Sequence, residues 1–328
     1  MTTVAQLPNF PHRVGAHCSS TSIQNVLRYD GVELSEAMVF GLGAGLGFWY
    51  IHDETASPTY RFNGRAPDLE SNFYRHVGQP LQWVERWSPA AMATALTASR
   101  PLLAQTDIYH LPYYEPRVHF PGHGVVVTGI DLTAQTVDLA DIHSPDLLTI
   151  PLTDFQQAMA HASPPMLWPN RWVAPPKLTP TLVTPDMLRT AILTAAQRML
   201  HPPSAAEGIG AMTHMAEQLP TWGAAPDFVW AARFAYQAIE KRGTGGGGFR
   251  TLYGDFLAEA EQYLPELVAV DAATRMKAIG MQWRELAGYF KQVFVEHDAT
   301  PFASASSLLQ KIAIKECMLM EVLARAVQ

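Results

Sequence analysis

Three residues far apart in the chain can supply a nucleophile and the two groups that activate it. The first is Cys18, in RVGAHCSSTSIQNVLRYDG (13–31), where serine and threonine crowd the start of a helix-like run and Gly31 follows its end. Ile23, Val26 and Leu27 share one face of that run. A cysteine in the first turn of a helix feels the positive end of the dipole, which favours thiolate and lowers the thiol pKa. The N–H groups there can also receive the oxyanion that forms when a carbonyl is attacked. The alternative is a small buried thiol, a common fate of free cysteine. Cys317, in IAIKECMLMEVL, lies inside an apolar helix and reads as core.

A thiolate nucleophile needs a base, and the base needs a third group to orient it. His123 opens HGVVVTGID between Gly122 and Gly124, whose bare backbone lets other backbone or a substrate approach. The next strand runs through VDLAD. A hairpin turning near 131–135 returns Asp141 close to His123 and leaves Asp138 nearer the turn, the two pointing to opposite faces. Cys18, His123 and Asp141 are therefore candidate nucleophile, base and orienting acid. His17, His119 and His143 are rivals for the base. His17 adjoins the thiol, but a neighbour at a helix start is expected to point away from it. The bland alternatives are a solvent-facing strand-end histidine and a turn aspartate in DIHSPD.

These residues need a scaffold. The runs 101–108, 123–131, 135–141 and 147–152 are short, rich in Val, Ile, Leu and Thr, and separated by turn residues, so they read as strands. The last three suggest an antiparallel meander. LSEAMVFGLG reads as a second helix with Ser35 as N-cap. WVAPPKLTPTLVTP (172–185) is rich in proline and reads as a linker. Helical period follows over 185–200, 206–218, 225–241, 250–262, 266–294 and 303–326. The expected fold class is α+β: a mixed domain over 1–174, a proline-rich linker over 175–185 and an all-helical domain over 186–328.

Composition excludes several classes. With 328 residues, 48% hydrophobic, the chain can bury one large or two ordinary cores. Its net charge of -7 and lack of a basic stripe argue against nucleic-acid binding. No apolar run approaches the ~18 residues of a membrane span, and the N-terminus has no signal-like pattern, so a cytoplasmic protein is expected. Two cysteines make no disulfide framework, and no CxxC pair suggests zinc. The 12 histidines are scattered without ligand spacing, so nothing calls for a metal, nucleotide or flavin.

HCSSTSIQNVLRYDGVELSEAMVFGLGAGLGFWY (17–50) resembles the N-terminal domain of the butirosin biosynthesis protein H family, and GHGVVVTGID (122–131) resembles that family's histidine segment. KRGTGGGGFRTLYGDFLAEA (241–260) is similar to the domain of unknown function that often accompanies it. The resemblance implies a papain-like or C39-peptidase-like cysteine-enzyme fold turned to acyl transfer, with Cys18 as nucleophile, His123 as base and Asp141 as orienting acid. It implies transfer of an acyl or aminoacyl group from an acyl carrier protein thioester, through acyl-Cys18, to an amine in natural-product biosynthesis. The phosphopantetheine arm of the carrier is then the donor, and the protein needs no cofactor of its own. Papain-like enzymes usually place a glutamine about six residues before the cysteine as an oxyanion donor. Here that region reads FPHRVGAHC, leaving His12, Asn9 or backbone N–H groups alone. A hydrolase (amidase or thioesterase) on the same triad and a silent carrier-binding scaffold are the other readings.

Other segments offer substrate contacts. Ser19 and Thr21 flank the thiol. FGLGAGLGFWY (40–50) departs from GxGxxG and reads as a close-packed turn or a cleft wall. RFNGRAPDLE (61–70) is a salt-bridged turn, or a phosphate or acidic-carrier contact through Arg65. IYHLPYYEPRVHF (108–120) brings Tyr109, Tyr113 and Tyr114 to a loop at a sheet end, where binding residues gather. The glycine run 243–248 lacks a P-loop ending and is either a flexible connection or, with Arg250, an anion-binding turn. Trp222, Trp230 and Trp283 read as core or interface, and the helical half is a possible homo-oligomer surface.

Overall fold

The structure, a computed structural model, describes residues 4–115, 119–162, 167–179 and 183–328. Part of the expected linker (180–182) and part of the tyrosine loop (116–118) lie outside the described residues. The strands in chain order are β1 (Val4–Gln6), β2 (Leu46–His52), β3 (Tyr60–Arg65), β4 (Val84–Glu85), β5 (Leu102–Thr106), β6 (His123–Asp131), β7 (Thr136–Ala140), β8 (Leu148–Pro151) and β9 (Arg171–Val173). The helices are α1 (Cys18–Tyr29), α2 (Glu36–Leu42), α3 (Leu69–His76), α4 (Pro89–Thr97), α5 (Leu152–Ala160), α6 (Pro185–Leu200), α7 (Gly208–Gln218), α8 (Phe228–Glu240), α9 (Arg250–Ala260), α10 (Pro265–Ala269), α11 (Ala272–Glu296) and α12 (Pro301–Ala326). The fold is α+β. None of these helices is long and apolar enough to cross a membrane.

The chain packs as two compact units, residues 1–39 with 69–182 and residues 40–68 with 183–328. In the first, an antiparallel sheet runs in the order β4-β9-β5-β6-β7-β8. β6 is its spine, because HGVVVTGI is buried throughout and its β-branched residues fill both faces. β5 pairs with the first half of one edge of β6, and β1 takes the rest of that edge. The expected meander is β6-β7-β8. Helices α1 and α4 pack on β6, and α5 packs on β5, β7 and β8.

The second unit holds α6 to α12 together with the β2–β3 hairpin, so residues 40–68 leave the 1–174 domain that the sequence suggested. The reason is aromatic. Tyr60 stacks on Trp222 at 4.4 Å and 3°, while Phe48 and Phe62 lie 5.9 and 6.3 Å from Trp283. Trp222 and Trp283 are fully buried. The glycine-rich stretch expected as a turn thus feeds a strand whose side chains complete a helical core. The single helix expected over 266–294 is broken: Asp271 adopts left-handed φ of 53° between α10 and α11. Cys317 is only half-buried, against the expectation of a core thiol.

Candidate active site

Cys18 is the first residue of α1, and the helix start is built around it. His17 is the N-cap, its Nδ1 accepting from the Ser20 N–H at 3.4 Å. Glu36, the first residue of α2, accepts the N–H groups of Ala16 at 2.8 Å and His17 at 2.7 Å. It also accepts the hydroxyls of Ser20 and Thr21 at 2.9 and 3.2 Å. These contacts consume the donors on either side of the nucleophile. Among the described residues, no backbone or side-chain acceptor takes the N–H of Cys18 or Ser19, which makes these two groups the candidates for an oxyanion.

His12 and Asn9 do not serve instead. His12 donates Nε2–H to the Ser144 carbonyl at 2.7 Å, and its Nδ1 accepts from Asn25 at 3.1 Å. Asn9 is exposed, in a left-handed turn at φ 51°.

β6 presents His123, the candidate base. α1 lies so close to β6 that a Cβ on Gly124 would meet Ser19 Oγ at 3.3 Å and Ser19 Cα at 3.4 Å, and Ser22 Oγ donates to the Gly124 carbonyl at 3.3 Å. The glycine after His123 therefore sets the distance between nucleophile helix and base strand. His123 Nε2 lies 2.8 Å from Asp141 Oδ2, which leaves Nδ1 for the thiol. Asp141 follows β7, where the β6–β7 register carries it back along β6. Asp138 pairs with Gly129 instead and holds Gln6 at 3.1 Å and Thr149 at 2.6 Å, away from the site.

Two tyrosines from the loop after β5 complete the arrangement. Tyr113 donates to Asp141 Oδ2 at 2.8 Å, and Tyr114 donates to Oδ1 at 3.1 Å with its oxygen 3.3 Å from His123 Nε2. The His143 N–H donates to Oδ1 at 3.0 Å. His123 and Asp141 are 3% and 2% exposed, so this network operates out of bulk water.

The electrostatics follow from these contacts. Burial alone would raise the Cys18 thiol, but attraction to His17 and hydrogen bonds and charge from His123 overcome it and hold the thiol well below its ordinary range. Burial opposes a charged His123, yet Asp141 and the thiolate lift it to about 10. Asp141 is lowered despite burial, by His123 first and then by the Tyr113 hydroxyl. These shifts run toward a thiolate–imidazolium pair steadied by a carboxylate. His17, expected to point away, instead lies beside the sulfur.

The remaining candidates scatter. Ser19 Oγ is 4.0 Å from the Cys18 sulfur. Thr21 belongs to the Glu36 cap, and Tyr113 reaches Asp141. Tyr109 stacks on His119 at 4.1 Å, in a cluster with Asp107, His110 and His161 that could hold a metal ion. Arg65 is buried in the second unit with Nη1 on the Ala66 carbonyl. Arg250 is fully buried, bidentate on Glu316 at 2.8 and 2.7 Å, so it belongs to the helical core and not to an anion loop. The 243–248 loop is a folded turn: Gly247 N–H donates to Glu240 and Gly248 N–H to the Ile239 carbonyl. Missing from the sequence reading were Glu36, the Asp141-binding role of Tyr114, and the histidine cluster.

Residues 153–323, more than half of the chain, match the family described as a domain of unknown function, DUF4872. The chain belongs to the DUF4872 family. The DUF4872 match starts inside α5, within the first compact unit, and runs to the last turns of α12. Upstream, residues 17–142 match the N-terminal domain of butirosin biosynthesis protein H, a span that begins at the His17 cap and ends just past Asp141. No curated protein matches the chain.

Proposed function

We propose that this DUF4872 protein is a cysteine-dependent acyltransferase that forms amides from carrier-bound acyl thioesters in natural-product assembly. The observation that carries the reading is the buried Cys18–His123–Asp141 arrangement, with a thiol held in its charged form beside two N–H groups. The Cys18 thiolate attacks the thioester carbonyl, and the oxyanion forms against the Cys18 and Ser19 N–H groups. The carbon–sulfur bond to the phosphopantetheine arm breaks, and the leaving sulfur takes the His123 Nδ1 proton. One thioester replaces another, so acyl-Cys18 forms near thermodynamic balance. Neutral His123 then removes a proton from an attacking amine. The carbon–sulfur bond to Cys18 breaks, the amide leaves, and the thiolate–imidazolium pair returns.

The carrier, the amine acceptor and the phosphopantetheine donor enter with the family resemblance, and the match of residues 17–142 to the N-terminal domain of butirosin biosynthesis protein H supports a natural-product pathway. A hydrolase would use the same first half-reaction, with water in place of the amine.

Intact mass after exposure to a panel of acyl-pantetheine thioesters tests the reading. Wild type should gain one acyl increment, and Cys18→Ala none. Adding amines should convert the adduct to amide faster than water clears it. Clearance at the same rate with and without any amine would turn the assignment to a hydrolase, and thioester turnover undiminished in Cys18→Ala would refute it.

A further inference from the structure

We propose that Asp107, His110, His119 and His161 form a binding site for a single zinc-class divalent metal ion, which pins the loop carrying the active-site tyrosines. One nitrogen from each histidine and one carboxylate oxygen lie within 4.8 Å of one another. The four residues come from three segments. Asp107 and His110 follow β5, His119 precedes β6, and His161 caps the end of α5.

The arrangement has the marks of a built site. Asp107 is fully buried, and its two oxygens have separate roles. Oδ1 accepts the N–H groups of Tyr109 at 3.1 Å and Phe120 at 2.8 Å, which fixes the carboxylate from behind. Oδ2 is turned to the histidines, 2.6 Å from His119 Nδ1 and 3.5 Å from His161 Nε2. The His119 and His161 rings stack at 4.4 Å, Tyr109 covers the other side of His119, and the His110 ring lies 6.0 and 6.1 Å from the two.

One nitrogen of each of three imidazole rings and one buried carboxylate oxygen face a common point, which is the donor set of a single divalent ion. A divalent ion accepts a lone pair from each ring and uses Oδ2 as its anionic ligand. Three imidazoles and one carboxylate suit zinc and its neighbours rather than calcium or magnesium. Tetrahedral bonds of ~2.0–2.1 Å put ligand atoms roughly 3.4 Å apart, so the His119 and His161 rings, stacked at 20°, turn out of their stack to close the set around the ion. Four protein ligands leave no open position, which makes the ion structural.

Its place gives it a consequence. Thr106 pairs with His123 across β5 and β6, so the cluster sits at the root of the segment 107–123. That segment carries Tyr113 and Tyr114 to Asp141. An ion tying Asp107, His110 and His119 to α5 holds Tyr113 and Tyr114 on the carboxylate.

The test uses the full chain carrying Cys18→Ala, so that the thiol cannot bind metal and the outcome is independent of the acyl-transfer reading. After EDTA treatment, Zn2+ is titrated calorimetrically and Co2+ by visible absorption. One ion per chain and intense tetrahedral cobalt bands are expected. His119→Ala and His161→Ala, both at partly exposed positions, should each weaken binding at least tenfold while the metal-free proteins keep the parent's circular dichroism. The metal should also slow proteolysis within 107–123. Absence of binding at micromolar free Zn2+, or one ion bound equally well by His110→Ala/His119→Ala/His161→Ala, would overturn the site.

Discussion

At the level of single residues, the proposed chemistry rests on opposed shifts within one buried pair. Cys18 is held charged from below its ordinary range, and His123 keeps its proton until about 10. An ion pair that spans neutral pH is the expectation from these directions. It is lost on the acid side as the thiolate takes a proton, and on the alkaline side as His123 gives one up. The far-ultraviolet thiolate absorbance, taken as wild type minus Cys18→Ala, should stay level from pH about 7 to about 9, whereas an ordinary thiol rises around about 8.5. A rise centred there would mean no stabilised thiolate. Asp141 makes a second prediction. The Tyr113 hydroxyl helps keep its carboxyl low, so Tyr113→Phe should move the acid limb of the thioester-cleavage profile to higher pH. A hydrogen bond to a charged group is worth about 1.5–3 kcal/mol, so Asp141→Asn, which removes the charge itself, should cost more rate than Tyr113→Phe. The convergence of Cys18, His123 and Asp141 was legible because each sits at a position that announces itself: a helix start, a glycine-flanked strand start and the end of the returning strand. The metal-site candidates were not, since spacings of 3, 9 and 42 residues match no ligand pattern and only the fold brings them together.

At the level of elements, the nucleophile helix depends on a residue from the next helix. Glu36 takes four donors from the first turn of α1 and the residues before it. A cap of this kind is worth roughly 1–2 kcal/mol, and several charge-assisted bonds meet here. Glu36→Ala should lower the urea midpoint at unchanged m-value by about that amount or more, and a shift within error would show that water replaces the carboxylate without cost. Gly124 sets the other side of the helix. A methyl group there would sit 3.3 Å from Ser19 Oγ and 3.4–3.5 Å from its Cα and N, so the Ser19 hydroxyl beside the thiol must give by a few tenths of an ångström, and Gly124→Ala should slow acylation by more than it lowers stability. Sequence pattern located α1, β6, β7 and β8 well because their apolar periods are strong. It passed over β1, β4 and β9, which are two or three residues long and owe their structure to a partner strand. Glu36 escaped notice because a surface-looking glutamate at a helix start is ordinary until the neighbouring helix start is known to lie against it.

For the whole molecule, the consequential difference from the sequence reading is where the cores divide. The proline-rich stretch suggested a cut near 175–185, yet residues 40–68 pack with 183–328. The pattern could not show this, since FGLGAGLGFWY is short and glycine-rich and its aromatic residues pack mainly on distant helices. Their partners, Trp222 and Trp283, lie more than 150 residues away. Polar contacts reinforce the arrangement: Tyr50 donates to Gln218 at 2.7 Å, and the Thr59 hydroxyl donates to Asp227 at 2.7 Å. Burying a large aromatic side chain is worth about 3–5 kcal/mol by truncation, and several meet here, against a typical domain stability of about 5–15 kcal/mol. A fragment comprising 183–328 should therefore fail to unfold cooperatively, leaving Trp222 and Trp283 with red-shifted, solvent-exposed fluorescence. The same fragment with residues 40–68 fused to it through a flexible linker should recover a cooperative transition and blue-shifted emission. Tyr60→Ala in the fused chain should take most of that recovery away. If 183–328 alone melts cooperatively with buried tryptophan emission, the hairpin is a lodger on a self-sufficient bundle and the division of cores proposed here is wrong.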